Sequence, residues 1–170
     1  MPIQRAKPRL VDLDQTPLTS FSGLASSDLP AGAVLQVVQQ VFQTFTQLNS
    51  TSSLVDTGIT QAITPSSTSN KILVRVSLQL STNTTSAQYL RAALLADSTV
   101  IRRYDNIHSA NGTSDDAQPS FEFLHSPSTT SAITYKVQMR NTNSSIFRIN
   151  NWGGSNGEAC STITLLEIKG

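Results

Sequence analysis

The amino-acid sequence predicts an all-β fold, an antiparallel jelly-roll-like β-sandwich behind an extended N-terminal arm. Three observations lead there. Ser and Thr supply 44 of the 170 residues, and with the β-branched Val and Ile they suit short pleated strands joined by polar turns. Several segments alternate apolar and polar residues with period two. Turn-forming clusters separate these segments at short intervals, and no fixed-period repeat runs through the chain.

The first 33 residues read as the arm, with the sandwich over 34–170. Four of the seven prolines fall in the first 30 residues (Pro2, Pro8, Pro17, Pro30), with no apolar alternation. Arg5, Lys7 and Arg9 make the start locally basic. Two readings stand side by side: a fraying terminus, or an anchor that orders on docking to a neighbouring protein. The opening residues Met1–Lys7 have no apolar stretch, so no signal peptide is expected.

Residues 34–48 place Val34, Val37 or Val38, Val41, Phe45 and Leu48 near heptad positions, which suits a short trimeric coiled coil. The segment lacks Ala, Glu and Lys and is rich in Val, Phe and Thr, so propensity favours a strand. A strand over 55–64 stops at Pro65. Residues 71–81 alternate, with Ile72, Val74, Val76, Leu78 and Leu80 on one face and Arg75, Ser77 and Gln79 on the other. Residues 88–96 fit helix or strand, and β character resumes at Ser98–Ile101.

Residues 105–119 read as a loop around Asn111-Gly112, followed by a strand at Phe121, Phe123 and Leu124 that ends at Ser126-Pro127. Residues 132–140 alternate again. A polar turn at Asn141–Ser145 then suggests a hairpin with Ile146, Phe147 and Ile149. The last strand covers 161–168.

Charge narrows the function classes. Twelve basic and eleven acidic residues leave a net charge of +1, without the excess that phosphate neutralisation or an anionic membrane surface requires. No apolar run approaches the ~20 residues of a spanning helix. Cys160 is the sole cysteine, so no intrachain disulfide or thiolate cluster can form.

Gly153-Gly154-Ser155-Asn156-Gly157 fits the G-x-S-x-G elbow, but that motif needs a following helix and a later histidine. Neither is present in the pattern, and Asn156-Gly157 reads as a turn. His108 with Asp115 and Asp116 is the one clustered set of metal-type ligands, and a solvated loop is the simpler reading. Paired carboxylates for glycoside hydrolysis cannot be nominated. Trp152, among Asn150, Asn151 and two glycines, suits packing in the core or an interface, or stacking on a sugar ring. No catalytic, cofactor-binding or metal-binding residue is assigned, and no cofactor is expected.

The ordered set of Ser26-Ser27-Asp28-Leu29-Pro30-Ala31-Gly32-Ala33-Val34-Leu35-Gln36-Val37-Val38, Ala62-Ile63-Thr64-Pro65-Ser66-Ser67-Thr68-Ser69-Asn70-Lys71-Ile72-Leu73-Val74, Phe123-Leu124-His125-Ser126-Pro127, Ala132–Gln138 and Ser161–Ile168 resembles a domain of bacteriophage tail-fibre proteins. The resemblance covers residues 26–170. It implies a jelly-roll-like, usually trimeric domain at the distal end of a fibre or on another virion surface, and it transfers no catalytic residues; the chain is expected not to be an enzyme. The long repetitive shaft of many fibres does not precede it in this sequence.

The expected function is therefore a short tail-fibre or receptor-binding protein, with a capsid decoration or head-fibre protein as the alternative. In this reading Arg5, Lys7 and Arg9 anchor the arm on tail, baseplate or capsid proteins. Tyr104, His108, Asn111, Asn151 and Trp152 would mark loops contacting a host surface glycan. The expected partners are copies of the chain in a homotrimer and other virion proteins, with no nucleic acid and no membrane insertion. The location is the virion, at the tail or alternatively the head.

Overall fold

The structure is a computed structural model that describes residues 26–49, 53–82, 88–110, 115–141, 146–151 and 159–170. A 3-10 turn at Ser26–Asp28 precedes twelve strands: β1 (Val34–Phe42), β2 (Thr46–Asn49), β3 (Val55–Ile63), β4 (Lys71–Ser77), β5 (Leu80–Thr82), β6 (Gln88–Ala96), β7 (Thr99–Ala110), β8 (Asp115–Ala117), β9 (Ser120–His125), β10 (Ile133–Asn141), β11 (Ile146–Ile149) and β12 (Ser161–Ile168). All pairings are antiparallel.

The described strands form three four-stranded sheets, ordered β1-β12-β4-β9, β2-β11-β5-β8 and β3-β10-β6-β7. The first two are halves of one layer, because β1 runs on into β2, β4 into β5, β8 into β9 and β11 into β12 in the same lateral order. Merging those halves leaves eight long strands. In chain order the first layer is 1-8-3-6 and the second is 2-7-4-5. Two sheets built from interleaved Greek keys in this way are a jelly roll. The all-β, antiparallel, jelly-roll-like sandwich is thus the observed fold.

The core lies between the layers. Ile72, Val74 and Val76 of β4 with Ile163 and Leu165 of β12 face Tyr135, Val137 and Met139 of β10 and Leu90, Ala92 and Leu94 of β6. Alternation along β10 and β12 is complete, as period two requires of half-buried strands.

Residues 34–48 form strands, not a coiled coil, and Val38, Phe42 and Leu48 reach the core while Val34, Val37, Val41 and Phe45 stay exposed. Residues 88–96 are the strand β6. It is buried along most of its length, so no alternation marked it.

Three expectations are corrected. Residues 105–110 continue the edge strand β7 and Asp115–Ala117 form β8, so most of the expected 105–119 loop is strand, and 111–114 lie outside the described residues. β10 and β11 do not form a hairpin: β11 pairs with β2 and β5, and β10 with β3 and β6. In a jelly roll these consecutive strands belong to opposite layers. The regular alternation expected over 71–81 breaks at Leu78-Gln79, where both side chains are buried and the layer bends.

Candidate functional site

The outer face of the β1-β12-β4-β9 sheet carries the most organised surface among the described residues. Strand register fixes its rows. Val37, Leu166, Leu73 and Leu124 stand side by side across all four strands. Val37 and Leu124 are about half exposed, and Leu73 and Leu166 are half-buried between them. Val34 and Ile168 extend this apolar end.

The next row is polar: Gln39, Thr164, Arg75 and Glu122. Gln39 Nε2 donates to Thr164 Oγ1 at 2.7 Å, and Arg75 Nε lies 3.4 Å from Glu122 Oε2. Both charged side chains are more than 60 % exposed, so water screens the pair and it adds little stability. Two shallow depressions of about 450 and 480 Å³ open on this face and share Ser77 and Thr162. The second also meets Leu78, Gln79, Gln118 and Cys160 at the bend.

Hydrogen bonds fix the bend. Asn150, in the left-handed region at φ 57°, sends its side-chain amide to the Phe42 carbonyl at 2.9 Å and the Thr44 carbonyl at 3.2 Å. Its backbone N–H donates to Gln79 O, and Gln79 N–H donates to Ser161 Oγ. The first, third and eighth long strands are tied together there.

At the sheet's other end Glu167, 1 % exposed, is held by four donors. Asn70 Nδ2 and Ser66 N each reach Oε1 at 2.6 Å, with Ser66 Oγ at 2.8 Å, and Gln36 Nε2 reaches Oε2 at 2.6 Å. Burial pushes this carboxyl up, but the hydrogen bonds from Asn70, Gln36 and Ser66 outweigh it and hold the group below the usual carboxylate range.

The contact residues expected from the sequence do not gather into one described site. Tyr104 packs on Phe121 with ring centroids 4.3 Å apart and donates its hydroxyl to the Glu122 carbonyl at 2.9 Å, closing the side of the sandwich. Burial raises the pKa of that hydroxyl above its ordinary value. His108 is largely buried, its Nε2 has no hydrogen-bond partner among the described residues, and Asp115 Oδ2 lies 3.9 Å away. Asn151 is half-buried just beyond β11. Asn111, Trp152, Arg5, Lys7 and Arg9, and the segment 153–157 expected as a turn, lie outside the described residues.

The described residues contain no group of three or more His, Cys, Asp or Glu placed to hold a metal ion. Sequence reading missed the apolar row, although Leu73 and Leu166 signalled it as apolar residues at positions that alternation reserves for the polar face.

No family model and no curated protein matches the chain. The solved structures similar to it include three of infectious bursal disease virus. A chain of the Gx strain is 10 % identical with TM-score 0.44, covering 80 % of this chain and 38 % of the other. The VP2 subviral particle is 11 % identical with TM-score 0.45, covering 79 % and 40 %. A chain of the Gt strain is 13 % identical with TM-score 0.42, covering 97 % and 47 %. This chain therefore spans less than half the length of each. The fold assignment rests on strand order and needs no support from these likenesses. The bacteriophage tail-fibre identity expected from the sequence is corrected: the similar solved structures are of infectious bursal disease virus, not of a tail fibre. The short motifs that suggested it are the turn and strand pattern of a jelly roll, which many unrelated proteins share.

Proposed function

We propose that the chain is a virion structural protein of capsid type, a decoration protein seated on the shell through the apolar end of its first sheet. The observation that carries this reading is the row Val37–Leu166–Leu73–Leu124 on the outer face of a complete jelly roll. Soluble monomers seldom leave a contiguous apolar row across a whole sheet, and such a patch rimmed by polar residues marks a contact surface. The neighbouring row of Gln39, Thr164, Arg75 and Glu122 supplies that rim. Jelly rolls recur in viral capsids but also in lectins and cupins, so the surface and not the fold decides.

The reading gives the chain no catalytic role and places it at the head of the virion. Self-association belongs to it as well. The homotrimer expected from the tail-fibre resemblance, from the short anchor and from the heptad pattern of 34–48 forms no part of this reading.

Shells stripped of the protein and reloaded with it test the reading. Reloading should raise the shell's melting temperature, because a ligand bound only to the intact shell stabilises it by mass action. The double substitution Leu73→Glu with Leu124→Glu should abolish both binding and stabilisation while leaving the free protein folded. Equal shell binding by that variant would remove the assigned surface. No binding of the unsubstituted protein would remove the capsid reading itself.

A further inference from the structure

Jelly rolls leave sheet edges open, and an open edge is a template for another strand unless the sequence blunts it. Among the described strands, the edges of this protein are treated unequally. β7 carries Arg102, Arg103 and Asp105 and has two register irregularities. β3 carries Asp56 and is bent at Gly58, whose φ is +82°. β9 carries Glu122 and lies between Pro119 and Pro127. β8 begins Asp115-Asp116, and β2 has only four residues. Charge, bulges, proline and shortness are the usual protections.

β1 is the exception. Its nine residues, Val-Leu-Gln-Val-Val-Gln-Gln-Val-Phe, include no charge, proline or glycine, and its one irregularity lies at the very start, between Val34 and Gln36. Among the described strands it pairs with β12 alone, on one side. On its outer face Val37, Gln39 and Val41 are all exposed.

These three residues are also a palindrome. An antiparallel copy of β1 centred on Gln39 places Val37 opposite the copy's Val41, Gln39 opposite Gln39, and Val41 opposite Val37. Apolar cross-strand pairs would then flank a pair of amides that can bond each other, the arrangement that stabilises antiparallel neighbours. Centring the pair on Val38 instead sets Val37 against Gln39 and loses the match. A two-fold contact needs a surface complementary to itself, and this one is.

We infer that β1 is a homotypic pairing edge: two copies of the chain join β1 to β1 across a two-fold axis at Gln39, making one eight-stranded sheet ordered β9-β4-β12-β1-β1-β12-β4-β9. The pairing adds to the capsid reading the contact by which copies meet, and rests on that reading only for its place in a shell.

Sedimentation or light scattering of the free chain should give twice the 18.3 kDa chain mass at about 100 μM, the range in which a contact smaller than a standard interface still associates. Gln39→Lys sets two like charges directly opposite each other across the axis and should return the single-chain mass with unchanged circular dichroism. Val41→Lys should do the same by a different route. In a Cys160→Ser background, Gln39→Cys should cross-link under mild oxidation, because its Cα faces its own copy within disulfide reach, whereas Val41→Cys should not.

A single-chain mass for the unsubstituted protein, or an oligomer untouched by both lysine variants, would overturn the inference. So would a Gln39→Cys variant that fails to cross-link. Shell binding that survives the loss of pairing would leave the capsid reading standing without it.

Discussion

Ser161 Oγ donates to Asn150 Oδ1 at 2.7 Å, and both side chains are buried where the first layer bends. The hydroxyl also accepts from Gln79 N–H at 3.0 Å. One small side chain thus satisfies two buried polar groups, one just beyond β11 and one between β4 and β5.

Ser161→Ala should therefore leave the Asn150 carbonyl oxygen and the Gln79 amide without this partner. Burying unsatisfied groups of this kind costs about 2–3 kcal/mol. The urea midpoint should fall with little change in slope, since the surface exposed on unfolding stays the same. An unshifted midpoint would mean that water replaces the hydroxyl.

Glu167 sets an acid limit on stability. Its folded pKa lies below the ordinary 4.5, so the unfolded chain takes up a proton first as the pH drops. The stability it contributes is present above pH 4.5 and is lost as the pH falls through the folded value. Glu167→Gln should cost about 2–3 kcal/mol at neutral pH, because an amide presents hydrogens to donors and the charge-assisted bonds are lost. The same variant should flatten the acid limb of a stability-versus-pH curve. An acid limb of unchanged steepness would assign it to other carboxylates.

A second pH effect belongs at higher pH. His125 Nδ1 and the Tyr135 hydroxyl are 2.9 Å apart. Burial raises the Tyr135 pKa and lowers that of His125 below 6.5. At neutral pH both groups are uncharged, and the imidazole tautomer sets which of them donates. This contribution is complete above pH 6.5 and is lost as the pH falls through the lower folded value. His125→Gln, which keeps a hydrogen-bonding side chain, should remove the loss of stability as the pH falls below 6.5. Its persistence in that variant would locate the titrating group elsewhere.

Gly58 is left-handed at φ +82°, with nothing within 4 Å of where a Cβ would stand. Gly58→Ala therefore meets no neighbour and pays only the backbone penalty of an L residue, about 1–2 kcal/mol. A thermal melt should show that loss. An unaltered melting temperature would mean that the bulge relaxes to negative φ.

The sequence made the central strands legible because burial on one face imposes alternation, as in Ile133–Met139 and Ser161–Ile168. β7 was under-read because an edge strand carrying Arg102, Arg103, Asp105 and Asn106 looks like a loop in composition. The β10–β11 hairpin was misassigned because local turn chemistry says nothing about which distant strand a segment joins. The candidate surface was harder still. Leu73, Leu124 and Leu166 are far apart in sequence, and only strand register reveals that they form one row.

The position of β12 has a consequence for how the chain is made. It lies between β1 and β4, so neither of those strands gains its shared neighbour until residues 161–168 have left the ribosome. Pairing over such sequence distances is slow, because loop closure precedes the contacts that reward it. During synthesis β1 waits unpaired and without a charge along its nine residues. Crowded polysomes making this protein would therefore hold many copies of a strand able to pair with itself, and a chaperone that shields it until β12 arrives would raise the yield of native chains.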